Sequence, residues 1–183
     1  AAAMHEEGCL IASDLRPARL GLLQRTLNQA GASRVRIVRL DLRRSLPFQP
    51  VFDCVLIDAP CSGLGILRRD PEIRWRRQPA DVARLADNQL AMLSQASRVV
   101  RPGGRLVYAT CSSEPEENAS VVDAFLAEHP DFEPVHPEQV CPTLSQGLRE
   151  TIDADGRLST APDTHGLEAF FAAIVRRRGP ARS

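Results

Sequence analysis

Residues 52–65 read FDCVLIDAPCSGLG. The opening FDCVLIDAP is a nearly continuous apolar run ending on Asp58 and Pro60. Such a run is expected of a strand covered on both faces, as strands are in parallel sheets under helices. A second segment repeats the pattern: RLVYATC at 105–111 is apolar and ends in Cys111. Cys61 and Cys111 each precede a serine, and each stands at the downstream end of a strand pattern.

Working outward, the chain alternates two periodicities. GCLIASD (8–14) is a short apolar run ending in Asp14. Ala18, Leu22, Leu23, Leu27 and Ala30 follow at helical spacing, and Gly31 stops that helix. RVRIVRLD (34–41) alternates arginine with apolar residues, the mark of a strand with one buried face. Residues 80–100 carry Val82, Leu85, Ala86, Gln89, Leu90, Leu93, Ala96, Val99 and Val100 on one face, a long amphipathic helix that Arg101-Pro102-Gly103-Gly104 ends. Glu114-Pro115-Glu116-Glu117 opens a further helix to about Glu128, its acids at the positive end. AFFAAIVRRR (169–178) is the last strand, its basic end at the surface. Strands alternating with helices give an α/β fold with a mostly parallel sheet.

The 183 residues suffice for one domain with a sizeable core, and there are no repeats. Hydrophobic residues at 43% and charged residues at 25% fit a globular protein. No apolar run is long enough to span a membrane. Net charge is zero, so bulk charge selects no polyanion; all 23 basic residues are arginine. Five cysteines without a CxxC pair argue against a disulfide scaffold and a structural zinc site, and no metal is expected. Cys9 and Cys54 lie within strand patterns and read as small core residues.

In open α/β sheets, ligands bind beyond the carboxyl ends of the strands. Asp14, Asp41, Asp58, Cys61 and Cys111 all fall at or just past such ends and are expected to converge on one edge. A carboxylate at Asp14 suits a ribose diol, and Asp41 the base of a nucleotide cofactor; both also suit helix caps and turns. Pro60 stiffens the turn after Asp58, while Gly63 and Gly65 permit close backbone approach. A single strand-end cysteine is ordinarily a small buried hydrophobe. Two in matching contexts suggest thiol chemistry. RRDPEIRWRR (68–77) holds five arginines and the only tryptophan, a composition for phosphates and a stacked base or for a solvated loop.

Together these residues resemble the Sun (Fmu) family of RNA cytosine-5 methyltransferases, in its bacterial ribosomal-RNA branch. DAPCSGLGILRRDPEIRW (58–75), YATCSSEPEENASVVDAFL (108–126) and the closing HGLEAFFAAIVRRR carry the likeness. The resemblance implies a Rossmann-like methyltransferase fold, S-adenosylmethionine as cofactor, RNA (ribosomal RNA in that branch) as partner, and a cytoplasmic location. It implies that Cys111 attacks carbon 6 of cytosine and that Cys61 helps remove the carbon-5 proton. Asp58 would hold the cytosine edge or the cofactor, Pro60 would also contact the cofactor, and Asp14 and Asp41 would bind the cofactor ribose and adenine. Arg68, Arg69, Arg74, Trp75 and Arg76 would form an RNA-binding rim.

One departure stands out. Family members carry a glycine-rich cofactor loop of the type DACAAPGGKT after the first, central strand, and this sequence has none. The 183 residues therefore read as a partial catalytic domain, the carboxyl-terminal part of a longer protein. Poor cofactor binding by the chain alone is expected. Two other readings compete with the enzyme: a catalytically incomplete RNA-binding module, and a thiol redox protein using Cys61 and Cys111.

Overall fold

A computed structural model describes residues 8–32, 34–66, 71–76, 78–139, 142 and 144–179. Two compact units divide the chain, residues 1–46 and 47–183. In the first, β1 (Leu10–Asp14), helix α1 (Pro17–Gln29) and β2 (Val35–Arg39) form a parallel β-α-β unit, with Leu10 opposite Val35 and Asp14 opposite Arg39. Pro17 starts α1, where a missing N–H costs nothing, and Gly31 follows it at φ +67°. Of the apolar positions at helical spacing, Leu23 and Leu27 are half-buried while Ala18 and Leu22 are exposed.

The second unit is a five-stranded sheet in the order β3 (Phe52–Asp58), β4 (Val100–Thr110), β7 (Phe170–Arg177), β5 (Phe132–Pro134), with β6 (Leu158–Thr160) also on β7. β3 pairs parallel to β4, and β7 runs antiparallel to β4, β5 and β6. Four of the five strands thus point one way and β7 alone is reversed. Short helices α2 (Ile73–Arg76), α5 (Gln146–Arg149) and α6 (Pro162–His165) occupy connections. Helices α3 (Pro79–Ser97) and α4 (Ala119–Glu128) supply the apolar cover: Leu93, Ala96, Val121, Val122 and Phe125 are buried with Ile57, Leu106, Tyr108, Phe171 and Val175 of the sheet. No described helix is long and apolar enough to cross a membrane.

Three expectations need correction. β3 is not covered on both faces: it is an edge strand, with Leu56 67% exposed and Cys54 exposed beside it, although Ile57 is buried. Its apolar run reflects strand propensity on both faces, but the face carrying Cys54 and Leu56 stays exposed while Ile57 on the other face is buried. Cys9 is exposed as well, so neither cysteine is a core residue. The Arg101–Gly104 segment does not merely end a helix. α3 stops at Ser97, and β4 begins at Val100 opposite Phe52; the pairing then jumps to Cys54–Arg105. The extra residues bulge out. A Cβ on Gly104 would sit 2.9 Å from the carbonyl oxygens of Arg101 and Phe52, so the bulge requires glycine there.

Candidate active site

The parallel pairing of β3 with β4 sets Asp58 opposite Ala109, so the segments leaving the two strands emerge side by side. Ala59 N–H continues the ladder onto the Ala109 carbonyl at 2.9 Å. The Gly65 N–H then reaches the Cys111 carbonyl at 3.2 Å, and the Ala169 N–H reaches the Gly65 carbonyl at 3.1 Å. Gly65 is wedged between these chains: a Cβ would lie 2.6 Å from both the Cys111 and Ala169 carbonyl oxygens. Gly63 takes φ +77°, a turn that disfavours other residues.

This turn brings the Cys61 and Cys111 sulfurs to 3.2 Å, both partly accessible. Two thiolates so close would repel strongly, so one sulfur keeps its proton and donates it to the other. The hydrogen bond from Cys61 brings Cys111 down to about 7, against the opposing effects of burial and of the Asp58 and Glu117 charges. The same hydrogen bond, then burial, pushes Cys61 well up. Cys111 is therefore the more acidic of the two thiols and Cys61 its proton-bearing neighbour. Asp58 is exposed, and its carboxylate has no hydrogen-bond or ion-pair partner among the described residues.

Beneath the thiols lies a buried polar cluster that the motif reading passed over. Glu117, Gln89, Tyr108, Ser62, Ser112 and Thr110 are all at most 1% exposed. Glu117 was expected among the acids at a helix start. Instead Pro115–Glu117 is a turn of 3₁₀-helix before α4, and the side chain points inward to accept bonds from Ser62 N–H at 2.8 Å and the Ser112 hydroxyl at 2.6 Å. Burial and the Glu117 charge push the Tyr108 hydroxyl far up, so it stays a donor. A signal existed: Gln89 is the one amide among the apolar positions on its face of α3.

Asp14 and Asp41 belong to the first unit, where adjacent strand ends carry them. Asp14 accepts the Arg16 N–H at 2.7 Å through Oδ1, while Oδ2 lies 3.5 Å from Arg19. Asp41 is clasped by Arg43 through both oxygens at 3.0 Å, which holds its carboxyl below the usual range. Of the basic segment, Arg68 and Arg69 lie outside the described residues, as do the side chains of Arg74 and Arg76. Trp75 is 80% exposed on α2.

The sequence profile described as 16S rRNA methyltransferase RsmB/F matches residues 1–176. The chain belongs to the RsmB/F family. It is 35% identical over 181 residues to the probable ribosomal RNA small subunit methyltransferase B of Bacillus subtilis, covering 96% of this chain and 39% of that protein. It is 39% identical over 162 residues to ribosomal RNA small subunit methyltransferase B of Thermus thermophilus, covering 85% and 38%. Among solved structures, NSun6 from Pyrococcus horikoshii with SFG superposes at a TM-score of 0.80 with 25% identity, over 97% of this chain and 43% of that one. The chain thus spans about two fifths of the length of these RsmB/F relatives.

The Rossmann-like methyltransferase fold and S-adenosylmethionine as the family cofactor follow from this membership. Each unit by itself offers acceptors of the kind such a group needs. In the second, Asp58 offers an unpartnered carboxylate beside the thiols; in the first, Asp14 keeps acceptor capacity at a strand end. Asp41 would first have to release Arg43.

Proposed function

We propose that this chain carries the reacting thiols of an RNA cytosine-5 methyltransferase acting on ribosomal RNA. The observation that carries the reading is the Cys61–Cys111 contact at 3.2 Å; the Cys61 hydrogen bond supports it by pulling the Cys111 thiol down. Cytosine carbon 5 is a poor nucleophile until carbon 6 gains an electron-rich substituent. The Cys111 thiolate forms the sulfur–carbon 6 bond, and the ring electrons shift to carbon 5. Bound S-adenosylmethionine supplies the methyl group that carbon 5 takes up. Removing the carbon-5 proton then expels Cys111 as a thiolate and restores the ring.

Cys61 suits the last step because of its state before the first. While Cys111 is anionic, Cys61 holds its proton. Once the Cys111 charge is consumed in the carbon–sulfur bond, the main influence raising Cys61 is gone. Cys61 can then lose its proton to water and accept the one from carbon 5. Asp58, at the strand end beside both sulfurs, would orient the cytosine edge or the cofactor, with Pro60 lining the turn. Asp14 and Asp41 would bind the cofactor ribose and adenine. Trp75, with Arg68, Arg69, Arg74 and Arg76, would hold the flanking RNA once the base has left its stack.

The test is adduct trapping, on this chain and on a chain completed to the length of its relatives. Ribosomal RNA carrying 5-fluorocytosine, supplied with S-adenosylmethionine, should form a covalent complex that Cys111→Ala abolishes, because fluorine cannot leave carbon 5 as a proton. On ordinary RNA, Cys61→Ala should accumulate the corresponding Cys111 adduct, methylated at carbon 5 and still carrying the carbon-5 proton. A completed chain that methylates RNA equally well without Cys111 would remove the two-thiol mechanism. RNA binding without transfer would favour the binding-module reading.

A further inference from the structure

Glu117 is fully buried, and the chemistry above gives it no part. A carboxylate taken out of water is tolerated only where donors replace the water. Its donors come from both cysteine segments. Oε1 accepts the Ser62 N–H at 2.8 Å and Gln89 Nε2 at 3.1 Å. Oε2 accepts the Ser112 hydroxyl at 2.6 Å and lies 3.2 Å from the Ser62 nitrogen. Ser62 directly follows Cys61, and Ser112 directly follows Cys111, so one carboxylate joins the residue after each thiol. The two serine hydroxyls also meet at 3.2 Å.

The residues around the carboxylate are anchored in turn. Gln89 Nε2 donates as well to the carbonyl of Pro60, the residue before Cys61, at 3.0 Å. The Tyr108 hydroxyl, from β4, donates to the Glu117 carbonyl at 2.6 Å. Asn118 Nδ2 donates to the Ser112 carbonyl at 2.9 Å. Backbone bonds at Ala59, Gly63 and Gly65 hold the later part and the ends of the intervening turn, while these side chains tie Pro60 and Ser62, on either side of Cys61, to Glu117 and Gln89. Resting on the reading that the two thiols react as a pair, we propose that Glu117 is a positioning residue that fixes the Cys61–Cys111 separation by clamping the two cysteine loops together.

A clamp and a bare charge make opposite demands on Cys111. The groups bearing on Cys111 are Cys61 and Asp58 from the β3 side and Glu117 from the turn before α4. The negative charge of Glu117 disfavours a thiolate, so deleting the charge alone would let Cys111 ionise at lower pH. Releasing the clamp instead parts the sulfurs, removes the Cys61 hydrogen bond, and makes Cys111 ionise at higher pH. Methionine at 117 keeps the length of the side chain but presents no oxygen to the three donors, so it releases the clamp; glutamine, whose oxygen can hold Ser62 and Gln89 while its amide donates to the Ser112 hydroxyl, removes only the charge.

The experiment measures Cys111 alkylation by iodoacetamide against pH, resolved peptide by peptide by mass spectrometry. It compares the unaltered chain, Glu117→Met, Glu117→Gln and Ser112→Ala, each with a thermal melt. The unaltered midpoint should lie near pH 7. Glu117→Met should raise it above about pH 8, Ser112→Ala should raise it by less, and Glu117→Gln should lower it. A midpoint unmoved or lowered in Glu117→Met overturns the proposal. Should Glu117→Met lack a cooperative melt, the same outcomes in Ser112→Ala decide it. Neither RNA nor cofactor enters the assay, so failed methyl transfer and a failed clamp are separate results.

Discussion

Replacing Cys61 with alanine deletes the donor that does most to make Cys111 acidic. With the donor gone, burial and the Asp58 and Glu117 charges all push Cys111 upward, opposed only by its own backbone N–H. The Cys111 midpoint should therefore move from about 7 to the ordinary thiol value of 9.0 or above. At pH 7 the thiolate fraction falls from about one half to about one hundredth. The more basic thiolate is also the better nucleophile: a Brønsted slope of roughly 0.4–0.5 over that interval returns about 6- to 10-fold. The net loss in alkylation rate at pH 7 is thus about 5- to 8-fold, and the variant should overtake the parent above roughly pH 8.0–8.3. Peptide-resolved iodoacetamide kinetics between pH 6 and 10 measure both features, and separate Cys111 from exposed Cys9 and Cys54. A variant whose midpoint stays near 7 would refute the reasoning: the acidity of Cys111 would then come from something other than the neighbouring thiol. The order of events proposed for Cys61 would fall with it.

Asp58→Asn should act in the opposite sense. Its exposed charge disfavours the Cys111 thiolate, so removal should lower the alkylation midpoint by a few tenths of a pH unit, a difference that about 1 M salt should erase. Tyr108→Phe keeps the ring but leaves the Glu117 carbonyl and Gln89 Oε1 without the donor now 2.6 and 3.0 Å away. The cost should be about 1–3 kcal/mol, a fall of roughly 2–4 °C in Tm per kcal/mol, read by thermal melting. A stability within about 0.5 kcal/mol of the parent would mean that water enters the cluster and replaces the hydroxyl.

Periodicity alone located β1, α1, β2, β3, α3 and β7, because each has an apolar face or run long enough to register. It misplaced the start of β4: Pro102, Gly103 and Gly104 read as a helix stop, whereas pairing with Phe52 makes them a bulge within a strand. The short strands β5 and β6, of three residues each, left no pattern to find. The apolar run of β3 misled in the other direction. Hydrophobicity records what a strand can bury, and the sheet order decides what covers it, here leaving Leu56 and Cys54 exposed.

The sequence by itself determined that two Cys-Ser segments terminate two strands, and that a family resemblance links them. Each apolar run and the Cys-Ser that follows it are contiguous in the chain, so that much is legible. What it could not determine was the 3.2 Å sulfur contact, or which sulfur keeps the proton. Both depend on how deeply each thiol is buried and on which charges face it, quantities set by chains far apart in sequence. Glu117 is the sharpest case. As text it is one acid among three near a helix start; folded, it is a buried acceptor shared by Ser62, Gln89 and Ser112, as many as 55 residues away. Composition assigns a carboxylate to the surface by default, because leaving water is costly. Only the tertiary structure, by assembling enough donors around it, offsets that cost and moves it inside.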